Sequence, residues 1–141
     1  MIRDAKPEDL AQVTALLAAS DLPTSGVAKA LGSFVVFEAN RCVVAVGGLE
    51  FYGRSALLRS VAVAGPHRHR GLAAAICDHL ELAAASRGVE HVYILTETAE
   101  QFFAKRGYST TPRAKAPSEI ASSEEFATIC PQSAVLMRRA A

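Results

Sequence analysis

The sequence predicts a mixed α/β fold with an antiparallel N-terminal half and a parallel strand pair after it. Three observations carry this. Three runs of strand-forming residues between positions 34 and 63 are separated by turns of two or three residues, the pattern of a meander. A long apolar-periodic helix follows, and after it another strand-like run, which is the strand-helix-strand signature of a parallel pair with a crossover. The chain has 141 residues, half of them hydrophobic, which suits one ordinary domain over 1–141 that buries its own core.

In chain order, Ile2 and Arg3 read as a short strand. Pro7, Glu8 and Asp9 open a helix, because proline suits the first helical position and acids suit the positive end of the helix dipole. Leu10, Val13, Leu16 and Leu17 continue it at helical spacing, and Asp21-Leu22-Pro23 ends it. Residues 24–31 read as a second, short helix. Residues 34–38 and 42–51 form a hairpin around Asn40-Arg41, and Tyr52-Gly53-Arg54 turns into a third strand at 56–63. Gly65-Pro66 stops that strand. Leu72, Ala75, Ile76, His79, Leu80 and Ala83 recur on one helical face, and Gly88 ends the helix. Residues 89–96 read as a buried strand. Thr98 is read as the cap of a helix carrying Phe102 and Phe103, which Gly107 ends before an extended piece at Tyr108. Ser122 or Ser123 caps a further short helix with Glu124 or Glu125 in its first turn, and residues 134–137 are a last strand.

Composition excludes several roles. The formal net charge is +1, with basic residues scattered apart from Arg68, His69 and Arg70, so nucleic acid is not the expected partner. The N-terminus has no apolar stretch after a basic one, and no run approaches the ~18 apolar residues of a membrane span. A cytoplasmic location without a membrane partner is the expectation. Cys42, Cys77 and Cys130 suit neither a disulfide framework nor a zinc site, and no His/Asp/Glu cluster has metal-ligand spacing, so no metal is expected. Cys42 and Cys77 read as small buried hydrophobes.

The most informative stretch runs from Val61, Ala62 and Val63 through Gly65-Pro66 to Arg68, His69, Arg70, Gly71, Leu72 and Ala73. It is strand, tight turn, then helix. The first N–H groups of a helix have no internal partner and carry the positive end of its dipole, so a pyrophosphate there meets several donors at once. Gly71 lets the backbone approach that anion, and Arg68 and Arg70 add charge. The other reading is a capped helix with solvated basic residues. No Walker or dinucleotide pattern is present.

Residues 68–73 match the Q/R-x-x-G-x-G/A signature of the GNAT superfamily, placed after a strand and before a helix. Residues 99–108, AEQFFAKRGY, resemble that family's second acetyl-CoA segment, A-x-x-F-Y-x-K-x-G-F. The resemblance implies a central mixed sheet of about six to seven strands flanked by helices, with the parallel pair at the cofactor site, and acetyl-CoA as co-substrate. It implies that Val61, Ala62 and Val63 lie along the pantetheine arm, that the backbone from His69 to Ala73 beside Arg68 holds the pyrophosphate, and that Thr98, Phe102 and Phe103 flank the arm. Many members dimerise through sheet edges or the final strand, so a homodimer is compatible with it.

The chain also departs from the family. The tyrosine that often protonates the leaving thiolate would fall at 103, where Phe103 stands, and the usual asparagine would fall at Thr96. A thiolate of a thiol with pKa near ~8.5 leaves tolerably without help, whereas a positioned acid contributes roughly 10²–10⁴-fold. Thr96, Tyr52, Tyr93 or Tyr108 stand as substitutes, with Tyr108 reading as core. Glu50, near a strand end, is the candidate base, with a solvated strand carboxylate as its other reading. Strand alternation puts Arg59 on the face of Val61. A charge in an apolar strand needs a partner. Arg59 is therefore an anchor for an anionic acceptor or half of an ion pair with Glu50, and Glu50 falls in the acceptor site as well.

Leu58-Arg59-Ser60-Val61-Ala62-Val63, Leu95-Thr96, Thr98-Ala99, Pro117-Ser118-Glu119-Ile120, Ser123-Glu124-Glu125-Phe126 and Cys130-Pro131-Gln132-Ser133-Ala134 are similar to the arsenic-resistance N-acetyltransferases within the superfamily. That likeness implies a small acceptor with an α-amino group and anionic ends, glutamate-like or arsenic-containing. The competing readings are a non-catalytic acyl-CoA-binding module, which Phe103 favours, and a protein-directed acetyltransferase, which needs an open groove.

Overall fold

In the computed structural model, residues 1–124, 126 and 133–141 are described. Glu125, one of the proposed cap partners, and Cys130 lie outside them. Seven strands form one sheet in the order β1-β2-β3-β4-β5-β7-β6. β4 and β5, neighbours in that order, run parallel, and β1 with β2, β2 with β3, β5 with β7 and β6 with β7 pair antiparallel, so the mixed α/β expectation holds. The chain divides into two units, Met1–Glu50 with Leu58–Ala83 and Phe51–Leu57 with Ala84–Ala141.

The first unit begins with β1 (Ile2–Asp4), antiparallel to β2 (Phe34–Ala39) with Ile2 opposite Phe37. Pro7–Asp9 is a 3₁₀ turn, and the α-helix α1 starts only at Leu10 and runs to Ala19. Val13, Leu16 and Leu17, three of the four periodic positions, are buried. The second helix is one turn, α2 (Val27–Ala30), because Gly26 enters it left-handed and a 3₁₀ turn at Leu31–Ser33 follows. β2 pairs with β3 (Cys42–Tyr52), with a bulge at Phe37/Glu38. β4 (Ser55–Val63) leads through a 3₁₀ turn at Gly65–His67 to α3 (Leu72–Ser86). Val13, Leu17, Val27, Phe34, Val36, Val46 and Ala62 close one core. On β3, a Cβ at Gly47 would lie 2.5 Å from the Ile76 Cγ2, and one at Gly48 would strike the Phe34 ring, so this strand gives up two side chains to let its neighbours close on it.

Two burial expectations are corrected here. Cys42 is exposed because it opens β3 at the tip of a hairpin, while Cys77 is buried as expected. His79 is exposed: the buried face of α3 is Ile76, Cys77, Leu80, Glu81 and Ala84, rotated one position from the periodicity read in the sequence.

In the second unit, β5 (His91–Thr96) starts two residues later than expected, since Glu90 and His91 donate their N–H groups to the Arg54 carbonyl. It pairs along its whole length with β7 (Val135–Ala140), which outlasts the expected last strand by three residues. β7 also pairs with the two-residue β6 (Ser109–Thr110). α4 (Glu100–Lys105) and the single turn α5 (Ser118–Ala121) complete the unit around Leu57, Tyr93, Ile120 and Leu136. Ser122 and Ser123 follow α5. Ser123 Oγ donates to the Ile120 carbonyl and accepts from the Phe126 N–H at 3.2 Å; the further short helix expected here falls largely outside the described residues.

Candidate active site

The loop between β4 and α3 is built around two left-handed residues. His69 has φ 64° and Gly71 φ 78°, with Arg70 between them. Arg68 before them is extended, so the backbone reverses direction sharply between the end of β4 and the start of α3. Gly71 takes its left-handed φ at no steric cost, while His69 costs roughly 1–2 kcal/mol. A Cβ on Gly71 would meet nothing within 4 Å, so open space lies over the loop. α3 has 15 residues, long enough to present a full dipole at this end.

Arg68 turns back to donate Nε to the Val63 carbonyl at 3.0 Å, which ties the loop to the end of β4. Arg68, His69, Arg70 and Gly71 are exposed, Leu72 and Ala73 half-buried. No aspartate or glutamate occurs from Phe51 through Cys77, a stretch with four arginines and two histidines. That sign asymmetry was legible in the sequence beside the short motif. The residues present fit a phosphate-bearing group: left-handed backbone, open space, cations and no competing carboxylate.

Upstream, Ser60 is also left-handed, φ 60° in the middle of β4. This corrects the alternation argument. Arg59 lies over the Phe34 ring, its Cζ 5.9 Å from the centroid, and Ala62 belongs to the core that contains Phe34. Val61 instead lies with Ile76 and Leu80 around Gly47. One left-handed residue shifts the parity of the strand, so Arg59 shares a side with Ala62 and not with Val61. No residue type in the run Leu57-Leu58-Arg59-Ser60-Val61 signals the kink.

The structure does bring Arg59 and Glu50 together. Arg59 Nη1 donates to Glu50 Oε2 at 2.7 Å, Nη2 to the Ser25 carbonyl at 3.0 Å and Nε to Ser60 Oγ at 3.0 Å. The Arg59 side chain is 1% exposed and that of Glu50 18%, so the carboxylate and not the guanidinium reaches solvent.

In the second unit, Thr96 is buried and its Oγ1 accepts from the Ala99 N–H at 3.0 Å. Thr98 is exposed and makes no cap: α4 follows Ala99, which offers no side-chain bond, and the hydroxyl serving this turn is that of Thr96. Phe103 is buried, edge-on to Phe102 at 5.0 Å and to Tyr108 at 5.3 Å, so its ring belongs to the core; Phe102 is half-buried. Tyr93 and Tyr108 are buried too, Tyr108 as expected, and Tyr52 is half-buried.

Residues 30–110 match the family model described as an acetyltransferase (GNAT) domain. Among solved structures, Rv2747 from Mycobacterium tuberculosis, in complex with CoA, is similar at 21% identity and a TM-score of 0.84, covering 100% of this chain and 99% of that one. N-acetylglutamate synthase from Neisseria gonorrhoeae, complexed with coenzyme A and N-acetyl-glutamate, is similar at 16% identity and a TM-score of 0.86 over 99% of this chain; this chain covers 34% of it, about a third of its length. The PaiA N-acetyltransferase from Thermoplasma acidophilum, in complex with coenzyme A, is similar at 11% identity and a TM-score of 0.76, covering 100% of this chain and 98% of that one. At these identities the likeness speaks for the fold.

Proposed function

We propose that this chain, which belongs to the GNAT acetyltransferase domain family, transfers the acetyl group of acetyl-CoA to the amine of a small molecule, acting as a single domain over 1–141. The observation that carries the reading is the loop of residues 68–73: two left-handed residues at the head of a 15-residue helix, in a stretch rich in cations and free of acids. Among the described residues no helix is long and apolar enough to cross a membrane.

In this reading the backbone of residues 61–63 aligns the acyl carrier and residues 68–73 hold its phosphates. The Glu50 carboxylate, the accessible half of its ion pair, takes a proton from the acceptor ammonium. The neutral nitrogen then forms a bond to the thioester carbonyl carbon, the carbon–sulfur bond breaks, and the departing thiolate takes up the proton that the acylated nitrogen sheds. Thr96 assists departure: its oxygen already accepts from the Ala99 N–H, so its own proton remains to donate toward the sulfur. Holding the two substrates in register supplies much of the rate.

The finer assignment is an acceptor with an α-amino group and anionic ends, a glutamate-like or arsenic-containing amino acid, in keeping with a role in arsenic resistance. It is supported by the motif likeness around Arg59 and Thr96. An α-amino pKa near ~8 leaves an appreciable neutral fraction at neutral pH.

The test is release of free thiol from acetyl-CoA across a panel of glutamate-like and arsenic-containing amino acids, aminoglycosides, polyamines and short peptides, with a no-acceptor control. Release with one small-amine class is expected. Acetyl-CoA binding without release for any acceptor would sink the catalytic reading and leave a binding module. Gly71→Ala, which forces a side chain into φ 78°, is expected to raise the CoA dissociation constant by about tenfold through roughly 1–2 kcal/mol of strain.

A further inference from the structure

β4 carries a cation that the core surrounds. The Arg59 fork is divided among three pieces of the first unit: Glu50 near the end of β3, the Ser25 carbonyl between α1 and α2, and the hydroxyl of Ser60, the left-handed residue of its own strand. An acceptor anchor needs a fork that a solute reaches, and this one is 1% exposed. A buried ion is costly unless paired and fully hydrogen-bonded, and displacing one partner leaves a buried donor without an acceptor. The three partners therefore hold one another's positions through the guanidinium.

We infer that Arg59 is a positioning residue, acting on acyl transfer through the Glu50 carboxylate and not by touching the acceptor. The inference rests on the acetyltransferase reading with Glu50 as base. Arginine has no acceptor atom and does not give up its proton, so its part in proton transfer is confined to orientation. The planar fork is what the site needs. A lysine keeps the charge but places a single ammonium, and so loses the simultaneous hold on Glu50, Ser25 and Ser60. Ser60, left-handed inside the strand, accepts at Oγ from the Nε of its neighbour at 3.0 Å.

The test is a double-mutant cycle on kcat and acceptor KM for wild type, Arg59→Lys, Glu50→Gln and the double variant, each with one anionic and one uncharged amine acceptor. Rates are taken per mole of protein that binds CoA in calorimetry. Glu50→Gln is expected to lower kcat by roughly 10²-fold. Arg59→Lys is expected to lower it by roughly 10–100-fold, the cost of a misplaced group, with KM for both acceptors unchanged within a factor of about two. In the Glu50→Gln background, Arg59→Lys is expected to cost less than about twofold, since the group it positions is gone.

Equal losses in both backgrounds would overturn the inference in favour of a general structural role. A KM rise confined to the anionic acceptor would overturn it in favour of an anchor, and an unchanged kcat in Glu50→Gln would remove the group through which Arg59 is said to act. If Arg59→Lys fails to fold, Ser60→Ala replaces it, removing only the Nε acceptor, with a smaller loss expected that again vanishes in the Glu50→Gln background. Absence of any wild-type turnover is a separate result, which ends the acetyltransferase reading and the inference with it.

Discussion

Arg3 and Arg59 each hold a carboxylate oxygen at 2.7 Å, Arg3 at the open edge of the sheet and Arg59 inside it. Arg3 lies on β1, a terminal strand in the sheet order, with its side chain 19% exposed, and it binds two carboxylates: Asp9 through both Nη atoms and Glu38 through Nε. Arg59 is 1% exposed, and its partners include the Glu50 carboxylate, the Ser25 carbonyl and the Ser60 hydroxyl. Arg3 joins β1, β2 and the turn that opens α1, so its work is done once the chain is folded. Arg59 joins the candidate base to a strained residue next to the proposed carrier strand. The difference teaches that burial and partner choice, not ion-pair length, separate a fastening from a device that bears on a reaction.

The largest expected effect tests that contrast directly. Arg59→Ala removes a buried ion-pair partner from Glu50 and is expected to cost about 3–5 kcal/mol of stability. Arg3→Ala leaves Glu38 near water and the more buried Asp9 with the Lys6 N–H bond it already accepts, and is expected to cost about 1.5–3 kcal/mol, the range for hydrogen bonds to charged groups. Urea denaturation of both variants measures the difference. Equal costs would break the comparison.

The second effect belongs to Arg3 alone. The guanidinium hydrogen bonds hold the Asp9 carboxyl below its ordinary value of 3.8, aided by the Lys6 N–H and opposed by burial. A carboxyl depressed by folding contributes stability that is whole above its unfolded pKa and is lost as pH falls through the folded one. Stability of the wild type is therefore expected to fall below about pH 4, and Asp9→Asn is expected to be less stable at neutral pH with a flatter acid limb. An unchanged acid limb in Asp9→Asn would show that the stability at this edge comes from elsewhere.

These two clusters also mark what the sequence made legible. The meander, the crossover helix and the phosphate-type loop were readable because each rests on local signals: periodicity, turn residues, a glycine and a run of cations. The Arg59–Glu50 pair was readable as one of two alternatives, since an arginine in an apolar strand has to find a partner. The kink at Ser60 was not, because a left-handed serine among strand formers leaves no trace in residue type. His69 escaped for the same reason: its φ is set by the loop that Gly71 closes. Thr98 reads as the helix cap because sequence shows which hydroxyl precedes a helix, not that the end of a strand turns the Thr96 hydroxyl inward. Cys42 looked buried from its apolar neighbours, but it sits beside a hairpin turn, where strand composition says little about exposure.

The smallest expected effect isolates the strain that sets the Arg59 cluster apart. Arg3, Asp9 and Glu38 all have ordinary backbone angles, whereas Ser60 has φ 60°. Ser60→Ala keeps the strain and loses the acceptor for Arg59 Nε, so it is expected to cost about 1 kcal/mol. Ser60→Gly loses the same acceptor but takes the left-handed conformation freely, which returns roughly 1 kcal/mol. The glycine variant should therefore unfold near the wild-type urea midpoint, with the alanine variant below it. Both lack the hydroxyl, so their difference reads the backbone strain less the extra conformational entropy that glycine loses on folding. Identical midpoints would mean that the strain at Ser60 is no larger than that entropy. The kink would then be a property of the strand that Arg59 follows, and the cluster around Arg59 would differ from the one around Arg3 only in depth.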